Sequence, residues 1–256
     1  MTAVIVLTAI SQGASDQVQR QIESLGSTTI IVRSRKPTED KLAGSRAMQY
    51  GLLRSDLERI VANVPTIETA IPIREIRRQF TYRDRLIDGR LVGCTPAYAD
   101  VNSLKIRANG GRFIGDADDL KADTVCVISA GVAEALFPYE EPLGKRINVP
   151  EHTDKYKIIG VLEHRNPSAA IGGSLDSQDF SSDVYIPIRT LRTRVGDKIV
   201  TRRSGQFQTE IMELNQITLQ ATSPEKVRPS AALIKSLLAP NHSAVSYTHL
   251  TLPTKA

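Results

Sequence analysis

Two histidines flank the apolar stretch KYKIIGVL, His152 before it and His164 after it, with Asp154 close to the first. Imidazole nitrogens and a carboxylate are ligand types that hold zinc and related divalent ions. Their spacing across a strand does not fix their proximity, and loop histidines are more often solvated than ligating, so no metal site is assigned. His242 and His249 fall in the tail region. Ser129 ends the run TVCVIS and precedes Ala130 and Gly131, the setting of a nucleophile on a strand-to-helix turn. The glycines of G-x-S-x-G are absent and no histidine is placed to activate the hydroxyl, so capping of the following helix accounts for Ser129 better. The segment LGKRI (Leu143–Ile147) lacks the first glycine of a phosphate-binding loop and the hydroxyl residue after its lysine; it reads as a turn into a strand. Cys94 and Cys126 lie among strand-like residues and read as buried thiols ahead of a disulfide. No catalytic, cofactor-binding or metal-binding residue is assigned, and no cofactor is expected.

The densest basic segment holds Arg74, Arg77, Arg78, Arg83, Arg85 and Arg90. Anionic lipid headgroups, an acidic partner or a nucleic acid would suit it. Glu68, Glu75, Asp84 and Asp88 dilute its field, which favours a charged outer face guarding the edge of a β-ribbon. With 33 basic against 28 acidic residues and aromatics at 5%, the chain has neither the charge excess nor the stacking platforms of a nucleic-acid binder.

The elements that would position these residues follow from periodicity. Met1–Ile10 is almost wholly apolar and covers nearly all sides of a helix, which favours lipid or deep burial. It is about half the length a membrane span requires, and no basic residue precedes it as a signal peptide would demand. Val18, Ile22 and Leu25 continue the helical spacing to Gly26. Thr28–Ser34 has strand composition, and a polar loop follows to Gly51. Ser55 and Glu58 have capping-box spacing at the head of a helix that Pro65 closes. Ile67–Cys94 alternates as an antiparallel ribbon, with RDR or DG in its turns. A short helix capped by Thr95, a glycine turn at GGRF, a strand at Val125–Ile128 and a helix through Leu136 come next. Two further strands take Gly144 in the turn before the first and Gly160 as a bulge in the second. Residues 163–182 read as a long mobile loop. A final strand and a helix capped by Ser223, with Pro224 at its first position, complete an α+β pattern.

Taken in order, SQGASDQVQRQIESLGSTTIIVRS, LLRSDLERIVANVP, GGRFI, VCVISAGVAEALFPYEEPLGKRINV, YKIIGVL and DVYIPI resemble the periplasmic core domain of MacB-type ABC transporter permeases. The resemblance covers most of residues 1–240, and its specificity lies in the order of the motifs. It implies an extracytoplasmic mixed α/β domain of two subdomains, preceded by the end of a transmembrane helix. The expected organisation is a helix end and stalk at 1–26, the periplasmic core domain at 27–240 and a non-native tail at 241–256. That tail, SYTHLTLPTKA, resembles translated sequencing-adapter tails, and the family's FtsX-like membrane domain does not follow it.

By the same resemblance the chain is a non-catalytic permease fragment in the cell inner membrane, its domain on the periplasmic side. The domain would couple cytoplasmic ATP hydrolysis to substrate export or lipoprotein release. The implied partners are an ABC ATPase subunit, the membrane, a second permease copy or a related permease, and a periplasmic adaptor, with no nucleic acid. A free-standing periplasmic binding or adaptor module is the alternative.

Overall fold

A computed structural model describes residues 28–35, 47–150, 155–164, 180–203, 206–240 and 247–251. The expected membrane-helix end and stalk, most of the 163–182 loop, His152 and Asp154 lie outside them. In chain order the elements are β1 (Thr29–Arg35), β2 (Ala47–Gln49), α1 (Arg54–Asn63), β3 (Ile67–Tyr82), β4 (Arg85–Cys94), α2 (Tyr98–Val101), β5 (Ile106–Gly111), α3 (Asp116–Leu120), β6 (Val125–Ile128), α4 (Ala130–Leu136), β7 (Arg146–Asn148) and β8 (Lys155–Leu162). A 3-10 turn at Phe180–Ser182 leads to β9 (Asp183–Pro187) and α5 (Ile188–Thr190), which runs on as a π-helical turn, Leu191–Val195. Then come β10 (Lys198–Arg203), β11 (Gln206–Ile211), β12 (Gln216–Ala221), α6 (Pro224–Leu238) and β13 (Tyr247–Thr251).

The fold is mixed α/β and dominated by one large sheet in the order β13-β1-β12-β3-β4-β9-β6-β8-β5, with β7 branching against β3 and β8. A small sheet, β10-β11-β2, stands apart from it. The sheet serves two lobes. In the first, α1 and α6 cover β1 and β12, burying Ile30, Val32, Ile60, Ile217, Leu219, Val227 and Ile234 in one cluster. In the second, α4 packs on β4, β6, β8 and β9 around Phe80, Leu91, Ile128, Val132, Leu136, Tyr156 and Ile186. Each such aliphatic side chain contributes about 1.5–3 kcal/mol by leaving water, so each lobe has a core of its own.

β3 is the element common to both, and its alternation explains how. Ala70 lies against the first core, whereas Ile76 and Phe80, on the same face, belong to the second. Ile71 and Ile73 face the other way and pack with Val92, Cys94, Tyr98, Val127 and Tyr185 in a third cluster that spans the lobes.

Several expectations shift in register. Helix α1 starts at Arg54, and the acid that closes its first turn is Asp56, whose Oδ2 accepts the Leu53 N–H at 2.8 Å. Ser55 and Glu58 point into solvent instead. The shorter buried carboxylate reaches back where an exposed glutamate would not. Helix α2 begins at Tyr98, so Thr95 serves through its carbonyl, which accepts the Tyr98 N–H at 3.0 Å. The ribbon turns at Arg83–Asp84, where Arg83 adopts φ +53°, while Asp88 and Gly89 lie within β4. Gly144 turns at φ +77° as expected. Gly160 marks the bulge: β6 skips one residue of β8 there, and a Cβ would strike the Arg112 carbonyl. The small sheet escapes the periodicity reading, although the Ser204–Gly205 dipeptide between β10 and β11 is a hairpin signal.

Candidate functional site: a polar seam between the lobes

The arginine-rich hairpin does not present a basic face. β12 flanks β3 only as far as Ile73 and β9 flanks β4 only from Arg90, so Arg90 lies where the hairpin is covered and Arg74 just past the end of β12. The outer part of the hairpin, from Arg77 to Arg85, has among the described residues no flanking strand but the Thr81–Asn148 bridge to β7, and it keeps the expected charged edge. Arg83 pairs with Glu140 at 3.0 Å and lies over the Tyr82 ring. Arg85 donates to the Leu136 carbonyl at 3.2 Å and lies over Tyr139, which is 92% exposed. Arg77 is exposed, whereas Arg74 and Arg90 turn inward on opposite faces of the sheet.

Arg90 anchors one half of the seam. Parallel pairing of β4 with β9 sets it opposite Asp183, and both carboxylate oxygens accept from its guanidinium at 2.8 Å. Asp183 also accepts from the Tyr185 hydroxyl at 3.0 Å, and Arg90 reaches Glu75 at 3.3 Å. Farther along, Arg33 donates to Gln216 at 2.6 Å, and Gln216 to Thr218 at 2.8 Å. Burial alone would lower the Arg90 pKa, but the Asp183 and Glu75 carboxylates outweigh it and carry it above the ordinary value. Arg33 goes the other way, pulled down by burial that Glu75 only partly offsets. Burial raises the phenols of Tyr98 and Tyr185, so both are neutral at physiological pH.

Arg74 forms the other half. It is 2% exposed; Nη1 donates to Asn215 Oδ1 at 2.8 Å and approaches Met212 Sδ at 3.1 Å. Its Nε and Nη2 are buried without hydrogen-bond partners. Burial lowers its pKa to about 10 despite the nearby Asp197 and Tyr50. Around it the small sheet is fastened by charge. Arg54 grips Asp197 with both terminal nitrogens at 2.8 and 2.6 Å, the Arg54 N–H donates to Glu213 at 2.9 Å, and Tyr50 donates to Glu210 at 2.9 Å.

The chemistry-bearing candidates are not gathered here. Ser129 occupies the first cap position of α4, but its hydroxyl donates to the Ser181 carbonyl at 2.5 Å rather than to a helix amide. The cap is positional and the hydroxyl fastens the segment before β9. Ser223 likewise caps α6 without a side-chain bond. His164 Nε2 lies 2.6 Å from Glu134 Oε1 on the surface. Among the described residues no three metal-ligating side chains converge. Lys145 of LGKRI pairs with Glu140 at 3.2 Å within a turn. Cys94 and Cys126 are free and buried, on strands separated by β9, and burial raises both thiol pKa values. A cavity of about 110 Å³ lies between Ser129, Ser181, Lys105, His164 and Tyr185, and a groove of about 660 Å³ runs beside Tyr139.

The seam was only half legible: the basic segment flagged Arg74 and Arg90, but Asp183, Asn215, Asp197 and Arg33 come from distant parts of the chain. The one local signal was Asp183 at the head of an otherwise apolar strand, DVYIP, where a buried acid needs a cationic partner.

This architecture, one large mixed sheet with helices packed on it, is shared with solved extracytoplasmic regions of two transporters. The extracellular domain of the transporter YknZ from Gram-positive bacteria superposes with a TM-score of 0.60 at 21% identity, over 86% of this chain and 99% of that one. The periplasmic region of MacB from Actinobacillus actinomycetemcomitans does so with 0.60 at 20% identity, over 89% and 91%. The family model for the MacB-like periplasmic core domain matches residues 1–237, and the chain belongs to that family. Among curated relatives, the macrolide export ATP-binding/permease protein MacB of Rhodospirillum rubrum is 31% identical over 96% of this chain and 34% of its own length. The MacB of Syntrophobacter fumaroxidans is 27% identical over 100% and 34%. The chain therefore spans about a third of the length of these relatives.

Proposed function

We propose that this chain is the extracytoplasmic part of a permease subunit of a MacB-type ABC transporter, on the outer side of the cell inner membrane. In this reading a partner ATPase subunit or domain hydrolyses ATP in the cytoplasm, and the resulting movement reaches the domain through the membrane segment before β1. The domain does no bond chemistry; its displacement drives export of a substrate or release of a lipoprotein. A second permease copy or a related permease completes the pair, and a periplasmic adaptor receives the movement outside. The observation that carries the reading is the family match across residues 1–237, joined to a fold shared with the extracytoplasmic regions of two transporters.

The test is genetic and biochemical together. The full-length permease, expressed with its candidate ABC ATPase partner, should co-purify with that ATPase from detergent-solubilised membranes. Deleting residues 28–240 should abolish export while leaving the association intact. Export that survives the deletion, or a product found free in the periplasm with no ATPase bound, would refute the reading and favour a free-standing binding or adaptor module.

A further inference from the structure

The large sheet changes partners in the middle of β3. β12 pairs with β3 as far as Ile73, opposite Gln216, and the pairing of β3 with β4 begins at Arg74, opposite Gly93. At the handover Ile73 has a strand on one side and Arg74 a strand on the other, so the two half-sheets share a single strand there. β12 cannot be prolonged past this point because Leu214 has left the sheet to bridge with Leu52.

Asn215 fills the break. Its N–H donates to the Ile73 carbonyl at 2.9 Å. Its side-chain Oδ1 accepts the Glu75 N–H at 2.8 Å and Arg74 Nη1 at 2.8 Å. One side chain thus gives Glu75 the bond that a continued strand would have given. The faces of the joint differ in kind. On one, Ile71 and Ile73 pack with Val92 and Tyr185 across the lobes, an apolar contact without directional demands. On the other, Arg74 interrupts the apolar surface between Ala70 and Ile76, and the directional bonds to Asn215 hold the two sides in one orientation.

We propose that Ile73–Arg74 is the pivot between the two lobes and that Asn215 is the latch that sets their angle. An apolar bearing on one face tolerates sliding, while a latch built on one side chain releases as a unit.

Hydrogen exchange and spin-label distances on the full chain test it. Labels at Lys235→Cys on α6 and Ala135→Cys on α4 report the two lobes, and the native thiols are buried. In Asn215→Ala the Glu75 amide should exchange roughly tenfold faster, as expected for one lost hydrogen bond, and the interlobe distance distribution should broaden. Asn215→Asp retains the acceptor oxygen and should keep both wild-type values. If Asn215→Ala does not fold, Asn215→Ser, one bond shorter, carries the same expectation. A folded Ala or Ser variant with the wild-type distance distribution overturns the proposal, whatever the Glu75 amide does.

Discussion

Replacing Arg74 by methionine should stabilise this protein, although it deletes a hydrogen-bonded cation. Arg74 is 2% exposed, and of its terminal groups only Nη1 is satisfied, by Asn215 and the Met212 sulfur. Buried polar groups left without partners cost about 1–3 kcal/mol each. The fall of the Arg74 pKa from 12.5 to about 10 is a second measure: it corresponds to roughly 3 kcal/mol of unfavourable placement of the charge. Methionine removes that penalty, fills similar space beside Met212 and forfeits one bond to Asn215, worth about 1 kcal/mol. The net expectation is a gain of about 1–3 kcal/mol, in line with other buried ions exchanged for apolar side chains. In a domain of this size that raises the melting temperature by roughly 2–4 °C per kcal/mol. Urea titration at pH 7, comparing wild type, Arg74→Met and Arg74→Lys, is the assay. The pH dependence has a defined sign. A base whose folded pKa is depressed weakens the fold wherever it is charged, so the penalty is full at neutral pH and fades as pH rises through about 10. The advantage of Arg74→Met should shrink accordingly above pH 10. A methionine variant destabilised by more than about 1 kcal/mol at pH 7, with lysine restoring the loss, would refute this reasoning and make the charge itself stabilising.

Other perturbations separate the remaining parts of the seam and its frame. Asp183→Asn leaves the part-buried Arg90 with a neutral partner and should cost about 2–4 kcal/mol by chemical denaturation. Gly160→Ala puts a Cβ into the Arg112 carbonyl and against Val127, which backbone and core atoms cannot easily evade; a loss of about 2 kcal/mol or more is expected, with lower thermal stability as the readout. Cys94 and Cys126 should resist a thiol reagent under native conditions and react together on unfolding, because burial keeps both protonated and shielded.

How far the sequence revealed this molecule depends on how local each feature is. Val125–Ile128, the Gly144 turn and the Gly160 bulge could be read directly, because a few neighbouring residues dictate them. The β3–β4 hairpin was visible from its alternation, yet its turn could be placed at RDR or DG only once the register with Asp183 and Gly93 was known. Ser55 and Glu58 matched a capping pattern that Asp56 in fact satisfies, since burial of the chain entering α1 decides which carboxylate faces the free amide. The seam was the least legible part. Arg90 meets Asp183, Arg33 meets Gln216 and Asn215 meets Arg74 only because strand order brings β1, β12, β3, β4 and β9 side by side, and no window along the chain contains that order. Fold class was recoverable because the motifs occur in a fixed succession; the joint was not, because it is made where one strand exchanges partners.

The central claim, a permease domain standing outside the membrane, is tested most directly by labelling in intact cells. Tyr139 is 92% exposed and the two thiols of this chain are buried, so Tyr139→Cys adds a reactive thiol to the domain, read against the full-length protein without the substitution. The account predicts that a membrane-impermeant maleimide modifies Cys at this position in spheroplasts before lysis, and that the labelled protein stays with salt-washed membranes. Labelling only after the cells are broken, or a labelled protein released by salt alone, would contradict it.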